Sequence, residues 1–125
     1  MKFMQKLQFE AAWDKTISTQ DRLIIEQAFQ KTKEQDQLIS CDVIRKAINH
    51  KKQILITTLI HNRTDRHLTF NNRKVSIITE TSRIARNFTI DALKIPPYCS
   101  MPWTFIFDES NDFLFTEIKQ LVIEI

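Results

Sequence analysis

The sequence predicts a mainly β fold: an antiparallel β-sandwich of the immunoglobulin-like or fibronectin-like kind, preceded by one or two N-terminal α-helices. Three observations support this prediction. Apolar residues recur at helical spacing in the first 31 residues, they alternate with polar residues in several short runs after residue 38, and asparagine or aspartate separates most of those runs. Short alternating strands with frequent turn signals are typical of a sandwich.

We expect the chain to form one domain over residues 1–125. Its length and its 42% of hydrophobic residues suffice for one hydrophobic core, and 26% of charged residues is ordinary for a globular protein. Within that domain, the pattern predicts a helical arm over residues 1–31 and a β-sandwich over residues 38–125. The polar segment 32–37 connects the two parts.

The helical arm contains two candidate helices. Ser18 and Asp21 resemble a capping box, in which a side chain accepts from a free backbone amide, and this predicts a helix from about Thr19 to Lys31. Upstream, four apolar residues fall on one helical stripe and predict a short helix over residues 3–12 that ends near Trp13. The residues of this stripe are Phe3, Met4, Leu7 and Ala11.

Five or six extended runs follow the connector. They are Ile39–Ile48, Gln53–His61, Lys74–Glu80, Ile84–Ala92, Met101–Phe107 and Ile118–Ile125. Residues 54–60 are apolar on both faces of the second run. This pattern predicts a central strand that is covered on one face by the opposite sheet and on the other by the helix.

Asparagine and aspartate take the place of glycine in the predicted turns, because they tolerate the left-handed backbone region best. The turn residues are Asn49, Asn62, Asp65, Asn71, Asn72, Asn111 and Asp112. Pro102 has no amide hydrogen, which predicts that it occupies an edge or strand-start position in the run Met101–Phe107. The run Ile39–Ile48 is then the more available sheet edge.

The chain has no glycine. Phosphate-binding loops, the dinucleotide-binding turn and the nucleophile elbow of hydrolases all need glycine at fixed positions. The composition therefore argues against these sites, and we expect no cofactor.

Candidate catalytic and metal-ligating residues are few. Cys99 beside Ser100 is the one candidate nucleophile, and no glycine-based oxyanion loop accompanies it. His50, His61 and His67 do not pair with a cysteine or a carboxylate at the short spacing of zinc sites. His61 and His67 flank a polar turn and could meet in space. The sequence therefore predicts neither a metal site nor an enzyme.

Positive charge is spread along the chain, with a formal net charge of +3. The densest basic stretch, residues 63–86, contains Phe70 with Arg66 and Arg73 nearby. An aromatic ring among cations can stack on a single-stranded base, so weak nucleic-acid binding is one alternative function. The other interpretation places the Phe70 ring in the core or at its rim, and on balance we do not expect nucleic acid to be the partner.

Lysine and glutamine interrupt the apolar residues near the N-terminus, which is not the pattern of a signal peptide. No apolar run approaches the length of a transmembrane helix, so membrane insertion is not expected. We therefore expect a cytoplasmic protein, in which Cys41 and Cys99 remain free thiols.

Three stretches of the sequence together resemble a known domain. They are Trp13-Asp14-Lys15 with Ile17-Ser18 and Asp21-Arg22; Ile60-His61-Asn62-Arg63-Thr64 at the end of a strand; and Leu93 followed by Ile95-Pro96-Pro97 and Ser100-Met101-Pro102-Trp103-Thr104-Phe105-Ile106-Phe107. The third stretch is the most specific, because its proline pair and the sequence that follows rarely arise by chance. Over about residues 9–125 the chain resembles the SLAP domain.

This resemblance implies a β-sandwich module in a cytoplasmic protein that assists the export or assembly of surface-layer proteins with the accessory Sec system of Gram-positive bacteria. It implies no catalytic activity and supplies no functional residues. Proteins named for surface-layer assembly usually carry the domain twice, whereas this chain holds one copy. Glycines expected in the hairpin turns are also replaced here, as at Thr81-Ser82-Arg83.

These observations favour a non-catalytic protein-binding module. An exposed sheet edge would hold an extended segment of a partner, such as an export component or a surface-layer protein. Trp13 and Trp103 are candidate anchors for that partner, together with Phe70, Arg66 and Arg73. A structural homo-oligomer is the alternative, in which the apolar stripe within residues 3–11 packs against a second copy.

Overall fold

The protein is a β-sandwich preceded by short helices, which confirms the predicted fold class. The computed structural model describes residues 4–108 and 117–124. Its elements are β1 (Lys6–Leu7), α1 (Ala11–Thr16), α2 (Thr19–Thr32), β2 (Ile39–Ile48), β3 (Ile54–Asn62), β4 (Leu68–Thr79), β5 (Arg83–Ile95), β6 (Cys99–Phe107) and β7 (Ile118–Ile123).

Two sheets form the sandwich. The first sheet has the strand order β1-β6-β3-β2, and the second has the order β5-β4-β7. Every hydrogen-bonded pair is antiparallel except β1 and β6, which run parallel. Within the described ranges, β2 and β7 are terminal strands of their sheets, and they lie beside each other.

The hydrophobic core lies between the sheets, because alternate side chains of each strand point inward. Phe88 packs edge-on against Phe105 and Phe107, with ring centroids 5.2 and 5.3 Å away. The most deeply buried core residues are Ile54, Ile56, Ile60, Val75, Ile77, Leu93, Ile95, Phe105, Phe107 and Leu121.

Helix α2 begins where the sequence predicts. The Ser18 hydroxyl accepts from the Asp21 amide at 3.0 Å, and the helix ends one residue beyond the predicted end. Its buried residues Ile25 and Phe29 pack on Leu59 of β3. Since Leu59 lies outside the sandwich core, β3 is covered by the second sheet on one face and by α2 on the other, as predicted.

The predicted helix over residues 3–12 is wrong. Residues 6 and 7 form β1, in which the Lys6 amide donates to the Tyr98 carbonyl at 2.9 Å and the Gln8 amide donates to the Ser100 carbonyl at 2.8 Å. These hydrogen bonds to β6 and to the residue before it give the backbone amides of this segment partners that a helix would have supplied internally. Strand pairing therefore overrides the local helical pattern. The first helix, α1, starts only at residue 11, beyond most of the apolar stripe.

Strands β4 and β5 extend beyond the predicted runs because a predicted turn is absent. Asn71 and Asn72 lie inside β4, so the turn predicted there is wrong. The register with β5 is irregular at this point, and the Asn72 amide donates to Thr89 Oγ1 at 2.8 Å. Asparagine thus supports a bulge instead of a chain reversal. The turn predicted at Asn111 and Asp112 lies outside the described residues.

In the part of the chain that the structure describes, three residues adopt the left-handed backbone region that glycine favours. They are Lys52, Asn72 and Tyr98, with φ of 63°, 55° and 54°. Lys52 lies in the turn between β2 and β3, which Asn49 organises as predicted: its side-chain oxygen accepts from the amides of Lys51 and Gln53 at 3.0 Å.

Among the described residues, the run Met101–Phe107 lies at a sheet edge, as predicted, because β1 reaches only the two residues that precede it. Strand β3 pairs along the whole of it, and β1 pairs with Cys99 and Ser100. The Ser100 carbonyl points toward β1. The backbone nitrogen of Pro102, two residues further along the strand, therefore also points away from β3, so its missing hydrogen removes no hydrogen bond to that strand. As expected, β2 is a terminal strand of its sheet within the described residues, and β7 lies beside it.

The residues that follow β3 fasten the helical arm to the sandwich. The Arg63 guanidinium donates to the carbonyls of Thr32, Lys33 and Gln37 at 2.8, 3.1 and 2.9 Å, and to Ser40 Oγ at 2.8 Å. The first two carbonyls belong to the end of α2, where carbonyls have no donor within the helix. Arg63 therefore ends the helix and holds the connector against β2.

Asn62 fastens the opposite side of the same junction. This residue is fully buried, and its side-chain nitrogen donates to the carbonyls of Arg66, Ile95 and Pro96 at 2.8, 3.0 and 3.1 Å. Its side-chain oxygen accepts from the amide and the hydroxyl of Thr64. Each polar atom of Asn62 thus has a partner, as a buried amide requires.

Replacing Arg63 with methionine should lower the free energy of unfolding by about 2–3 kcal/mol, because a charged donor loses several hydrogen bonds at once. Urea unfolding followed by circular dichroism measures this change. The control is Arg66→Met, three residues away on the exposed turn, for which we expect a change within about 0.5 kcal/mol. Equal losses in the two variants would show that the Arg63 bonds contribute nothing specific.

Candidate functional site

The two neighbouring terminal strands, β2 and β7, enclose an opening that we call the edge cleft. Its volume is about 400 Å³. It is lined by Ile39–Val43 of β2, by Ile118–Ile123 of β7, and by Gln35 and Gln37 of the connector. The edge cleft therefore lies between terminal strands of the two sheets, which approach each other here.

The backbone of β2 presents hydrogen-bonding groups to this cleft. The Arg63 amide donates to the Leu38 carbonyl at 2.8 Å. This bond and the strand register show which residues of β2 direct their backbone N–H and C=O toward β3 and which direct them away from it. In an antiparallel ladder, every second residue turns its N–H and C=O away from the partner strand. In β2 these residues are Ile39, Cys41 and Val43, and no described strand pairs with them.

Strand β7 presents its backbone in the same way. The Glu124 amide donates to the Lys74 carbonyl at 3.0 Å, so the alternation in the ladder with β4 turns the N–H and C=O of Leu121 and Ile123 away from β4. The edge cleft is thus bordered by two rows of outward-facing backbone groups. Backbone groups of this kind bind an extended chain, whose own N–H and C=O have the same spacing.

The side chains around the cleft divide by face. Ile39, Cys41 and Ile118 are half-buried and pack against the sandwich core, so apolar side chains border the inner side of a cleft whose lining is otherwise mostly polar. On the opposite face of β2, Asp42 lines the cleft with a side chain that is 35% exposed. Its Oδ2 atom is buried and has no hydrogen-bond donor in the described part of the chain.

A buried imidazole lies next to that carboxylate. His61 Nε2 is 3.3 Å from Asp42 Oδ2 and 2.8 Å from Thr32 Oγ1, and its ring stacks on Phe29 with centroids 6.3 Å apart. Arg63 is close enough for the Asp42 charge to raise its pKa, although burial has the larger effect and lowers that pKa overall. Asp42 therefore borders the cleft on one side and the base of α2 on the other.

The hydrogen atoms around His61 can be assigned from its neighbours. The Thr32 hydroxyl donates to the Ala28 carbonyl at 2.7 Å, so it accepts from His61 Nε2–H. Ser100 Oγ lies 2.5 Å from His61 Nδ1 and accepts from Gln5 Nε2 at 3.1 Å, so its hydroxyl donates to Nδ1. This chain of bonds joins the N-terminal arm, β6, β3 and α2.

Serine, histidine and aspartate also form hydrolytic triads, but this arrangement differs from one. In a triad the serine contacts Nε2 and the carboxylate contacts Nδ1, whereas Ser100 contacts Nδ1 of His61. Both residues are 0% exposed, and neither lines the edge cleft. The arrangement holds a helix and a strand together and offers no access to a substrate.

The other sequence candidates for chemistry are separated. Cys99, the candidate nucleophile, is buried, and that burial raises the pKa of its thiol, although the charge of Lys6 acts in the opposite direction. His67 is exposed on the turn after β3, whereas His61 is buried under α2. Within the described residues, no three His, Cys, Asp or Glu side chains converge as metal ligands would.

A second opening, the helix groove, lies between the helices and the outer face of the first sheet, with a volume of about 370 Å³. It is lined by Trp13, Thr16, Ile17, Asp21, Ile24, Ile25, Ile44, Arg45, Thr57 and Thr104. The Trp13 ring stacks on Trp103 with centroids 6.2 Å apart and planes 26° apart. The two predicted anchors thus contact each other, and both are half-buried.

The remaining predicted partner-binding residues lie elsewhere. Phe70 is 2% exposed and its ring is 5.8 Å from that of Phe105, so it is a core residue and not a surface residue. The Arg73 guanidinium lies 5.8 Å from the Phe70 ring centroid and donates to the Thr69 carbonyl at 2.7 Å. Arg66 is exposed on the turn after β3. None of the three lines the edge cleft or the helix groove.

Sequence reasoning identified β2 as an edge and Ile118–Ile125 as a strand, but it did not predict that β7 and Asp42 border the cleft. A period-two pattern predicts that a run is a strand, but it does not say which strands are neighbours. The signal for the buried polar chain was present, because His61 and Ser100 both belong to the stretches that carry the family resemblance. No spacing rule connects residues 39 positions apart.

Replacing Thr32 with valine keeps the shape of the side chain and removes the acceptor for His61 Nε2–H. We expect the free energy of unfolding to fall by about 1 kcal/mol. Thr16→Val is the matched control, because the Thr16 hydroxyl also donates to the carbonyl four residues earlier but does not contact a histidine. Chemical unfolding of both variants measures the difference, and equal losses would refute a role for the contact between Thr32 and His61.

Burial raises the pKa of Cys41 to about 12, while its hydrogen bond to Thr58 lowers the pKa by a smaller amount. The unfolded thiol ionises from about pH 9, so ionisation favours the unfolded state between pH 9 and 12, and the free energy of unfolding falls as the pH rises. The decline should be steeper than in Cys41→Ala, by up to about 1.4 kcal/mol per pH unit. Urea titrations between pH 8.5 and 10.5 test this, and parallel declines would contradict it.

No helix within the described residues is long and apolar enough to cross a membrane.

No curated protein and no solved structure shows a significant match to the chain. The model of one protein family, described as the SLAP domain, matches residues 7–120. The designation of that model links the domain to the accessory Sec system. This match covers both helices, all of β2 to β6 and the first three residues of β7, so the chain belongs to the SLAP domain family.

Proposed function

We propose that this chain is a non-catalytic protein-binding module that works in the cytoplasm with an accessory Sec export system. Its partner is either a component of that system or a surface-layer protein awaiting export. The observation that carries this proposal is the open edge of β2, whose outward-facing backbone groups have no partner strand among the described residues. The link to export comes from the family to which the chain belongs.

Binding at a sheet edge suits this function for a physical reason. Main-chain hydrogen bonds recognise the extended conformation and supply affinity, whereas side-chain pockets add selectivity. A module of this kind can therefore bind an unfolded or partly folded segment without altering it chemically. The buried state of His61 and Ser100 agrees with such a role, because the hydrogen bonds of this pair serve the fold.

The alternative of a homo-oligomer that packs through an apolar stripe has lost its main support. Residues 6 and 7 are in a strand, so the stripe within residues 3–11 does not form one face of a helix. Leu7 is half-buried and packs near Ile25 and Phe29, whereas Met4 is 79% exposed. We therefore favour a different protein as the partner over a second copy packed through this stripe.

Affinity capture tests the proposal. The tagged chain is incubated with a cytoplasmic extract of cells that naturally contain it, with and without nuclease, and bound proteins are identified by mass spectrometry. We expect an accessory Sec component or an unsecreted surface-layer protein, retained after nuclease treatment. Recovery of nucleic acid alone, or of the chain itself alone, would overturn the proposal.

Two substitutions at Val43 locate the binding site in the same experiment. Val43→Pro removes an amide hydrogen that points away from β3, so no hydrogen bond to β3 is lost. Val43→Lys places a charge at the cleft, and charged side chains on natural edge strands prevent pairing in the same way. Each should reduce partner recovery at least about tenfold, the effect of about 1.4 kcal/mol. Ala92→Lys on β5 is the matched control and should bind normally. Circular dichroism checks that all three variants fold.

A further inference from the structure

We propose that the edge cleft binds an amphipathic extended segment that pairs antiparallel to β2, with apolar side chains on its inner face and uncharged hydrogen-bond donors on its outer face. This inference rests on the proposed function and specifies the chemistry of the partner. It follows from the length of the open edge, from the two faces of β2 and from the charges around the cleft.

The length of the segment is limited by an irregularity in β2. The register with β3 shifts between Val43 and Arg45, so the regular part of the open edge runs from residue 39 to residue 43. A bulge bends a strand and re-aims its backbone groups, which ends regular pairing at that point. The cleft is lined by the same five residues of β2. The bound segment therefore pairs over about five residues.

The inner face of the segment must be apolar. In an antiparallel pair, residues directly opposite each other have side chains on the same face of the sheet. The residues of the segment that exchange hydrogen bonds with Ile39 and Cys41 therefore direct their side chains toward the sandwich core, which these two residues already contact. Ile118 of β7 contacts the core from the other side of the cleft. A β-branched aliphatic side chain matches this environment.

The outer face of the segment meets Asp42. Asp42 and the segment residue opposite it form a cross-strand pair without mutual backbone hydrogen bonds. In pairs of this kind the two Cα atoms, and therefore the two side chains, are closest. Asp42 Oδ2 is buried beside His61, but the Asp42 side chain is 35% exposed and lines the cleft, so a hydroxyl or amide at that position would donate to the exposed part of the carboxylate. Threonine meets this requirement and also favours the extended conformation.

A charged residue would gain little at that position, because the charges around the cleft are balanced. Asp42 already lies within the field of Arg63, and Lys119 of β7 is 3.4 Å from the carboxylate of Glu117. The other polar side chains of the lining include the amides of Gln35, Gln37 and Gln120, which are uncharged. The cleft therefore favours uncharged polar side chains over lysine or glutamate.

Synthetic peptides test this inference on the full chain. The probe is a fluorescein-labelled heptapeptide with alternating threonine and valine, measured by fluorescence anisotropy. A second peptide has the same composition, with the valines grouped at one end. We expect the grouped peptide to bind at least about tenfold more weakly, because it cannot place its valines on one face. Equal affinity of the two peptides, or no binding of either at millimolar concentration, would overturn the inference.

Backbone methylation distinguishes pairing with β2 from loose contact. In the proposed register the valine amides face β2 and the threonine amides face away from it, because opposite residues share a face. Methylation of the valine nitrogens should therefore abolish binding, whereas methylation of the threonine nitrogens should weaken it less. Equal losses in the two series, or losses in the reverse order, would refute antiparallel pairing with β2.

A double-mutant cycle tests the contact with Asp42. Asp42→Ala in the protein and Thr→Val at the central position of the peptide should each weaken binding about tenfold, and the two changes together should cost little more than one alone. Asp91→Ala on β5 is the matched control, since Asp91 is exposed on the other sheet. Strictly additive losses would show that the hydroxyl does not contact Asp42.

The outcomes separate this inference from the proposed function. If the Val43 variants lose the captured partner but the alternating and grouped peptides bind equally, the protein-binding role stands and the proposed segment chemistry is wrong. If the capture recovers no export protein but the alternating peptide binds with the expected dependence on valine amides, the cleft chemistry stands and the assignment to export is wrong.

Discussion

The burial of both faces of β3 is the constraint on which the rest of the structure depends. Its inward side chains complete the core, and Leu59 on the other face requires a cover, which α2 provides. Because the strand stays buried to its end, the polar residues His61 and Asn62 are taken out of water and must find partners within the protein. Those partners lie on the N-terminal arm, on α2 and on the loop before β6. The hydrogen bonds made at the end of β3 therefore position these three segments.

Local patterns predicted what depends on nearby residues. The capping box at Ser18 located α2 within one residue, and the apolar run of β3 predicted its double cover. The failures have a common physical origin. The residues of β1 have a helical pattern but pair with β6, and Asn72 has the character of a turn residue but lies in a bulge of β4. In both cases, backbone pairing with distant residues outweighs a weak local preference.

The same limit applies to the edge cleft. Strand β2 could be identified as a sheet edge because Pro102 argued against the run Met101–Phe107, which itself lies at an edge beyond the two residues that pair with β1. The contribution of β7 and the exposure of Asp42 to the cleft depend on how the two sheets stack, which no local pattern encodes. Trp13 and Trp103 were predicted as separate anchors for a partner, and no local pattern predicted that their rings contact each other beside the helices.

The lack of glycine has a thermodynamic consequence that reaches beyond the sites it excludes. Without glycine the unfolded chain samples fewer backbone conformations, so folding sacrifices less entropy than in an average sequence. The opposing cost falls on Lys52, Asn72 and Tyr98, which hold left-handed conformations that glycine would adopt without strain. Among the described residues, left-handed strain is thus limited to three positions, whereas the reduced freedom of the unfolded chain favours folding along the whole sequence.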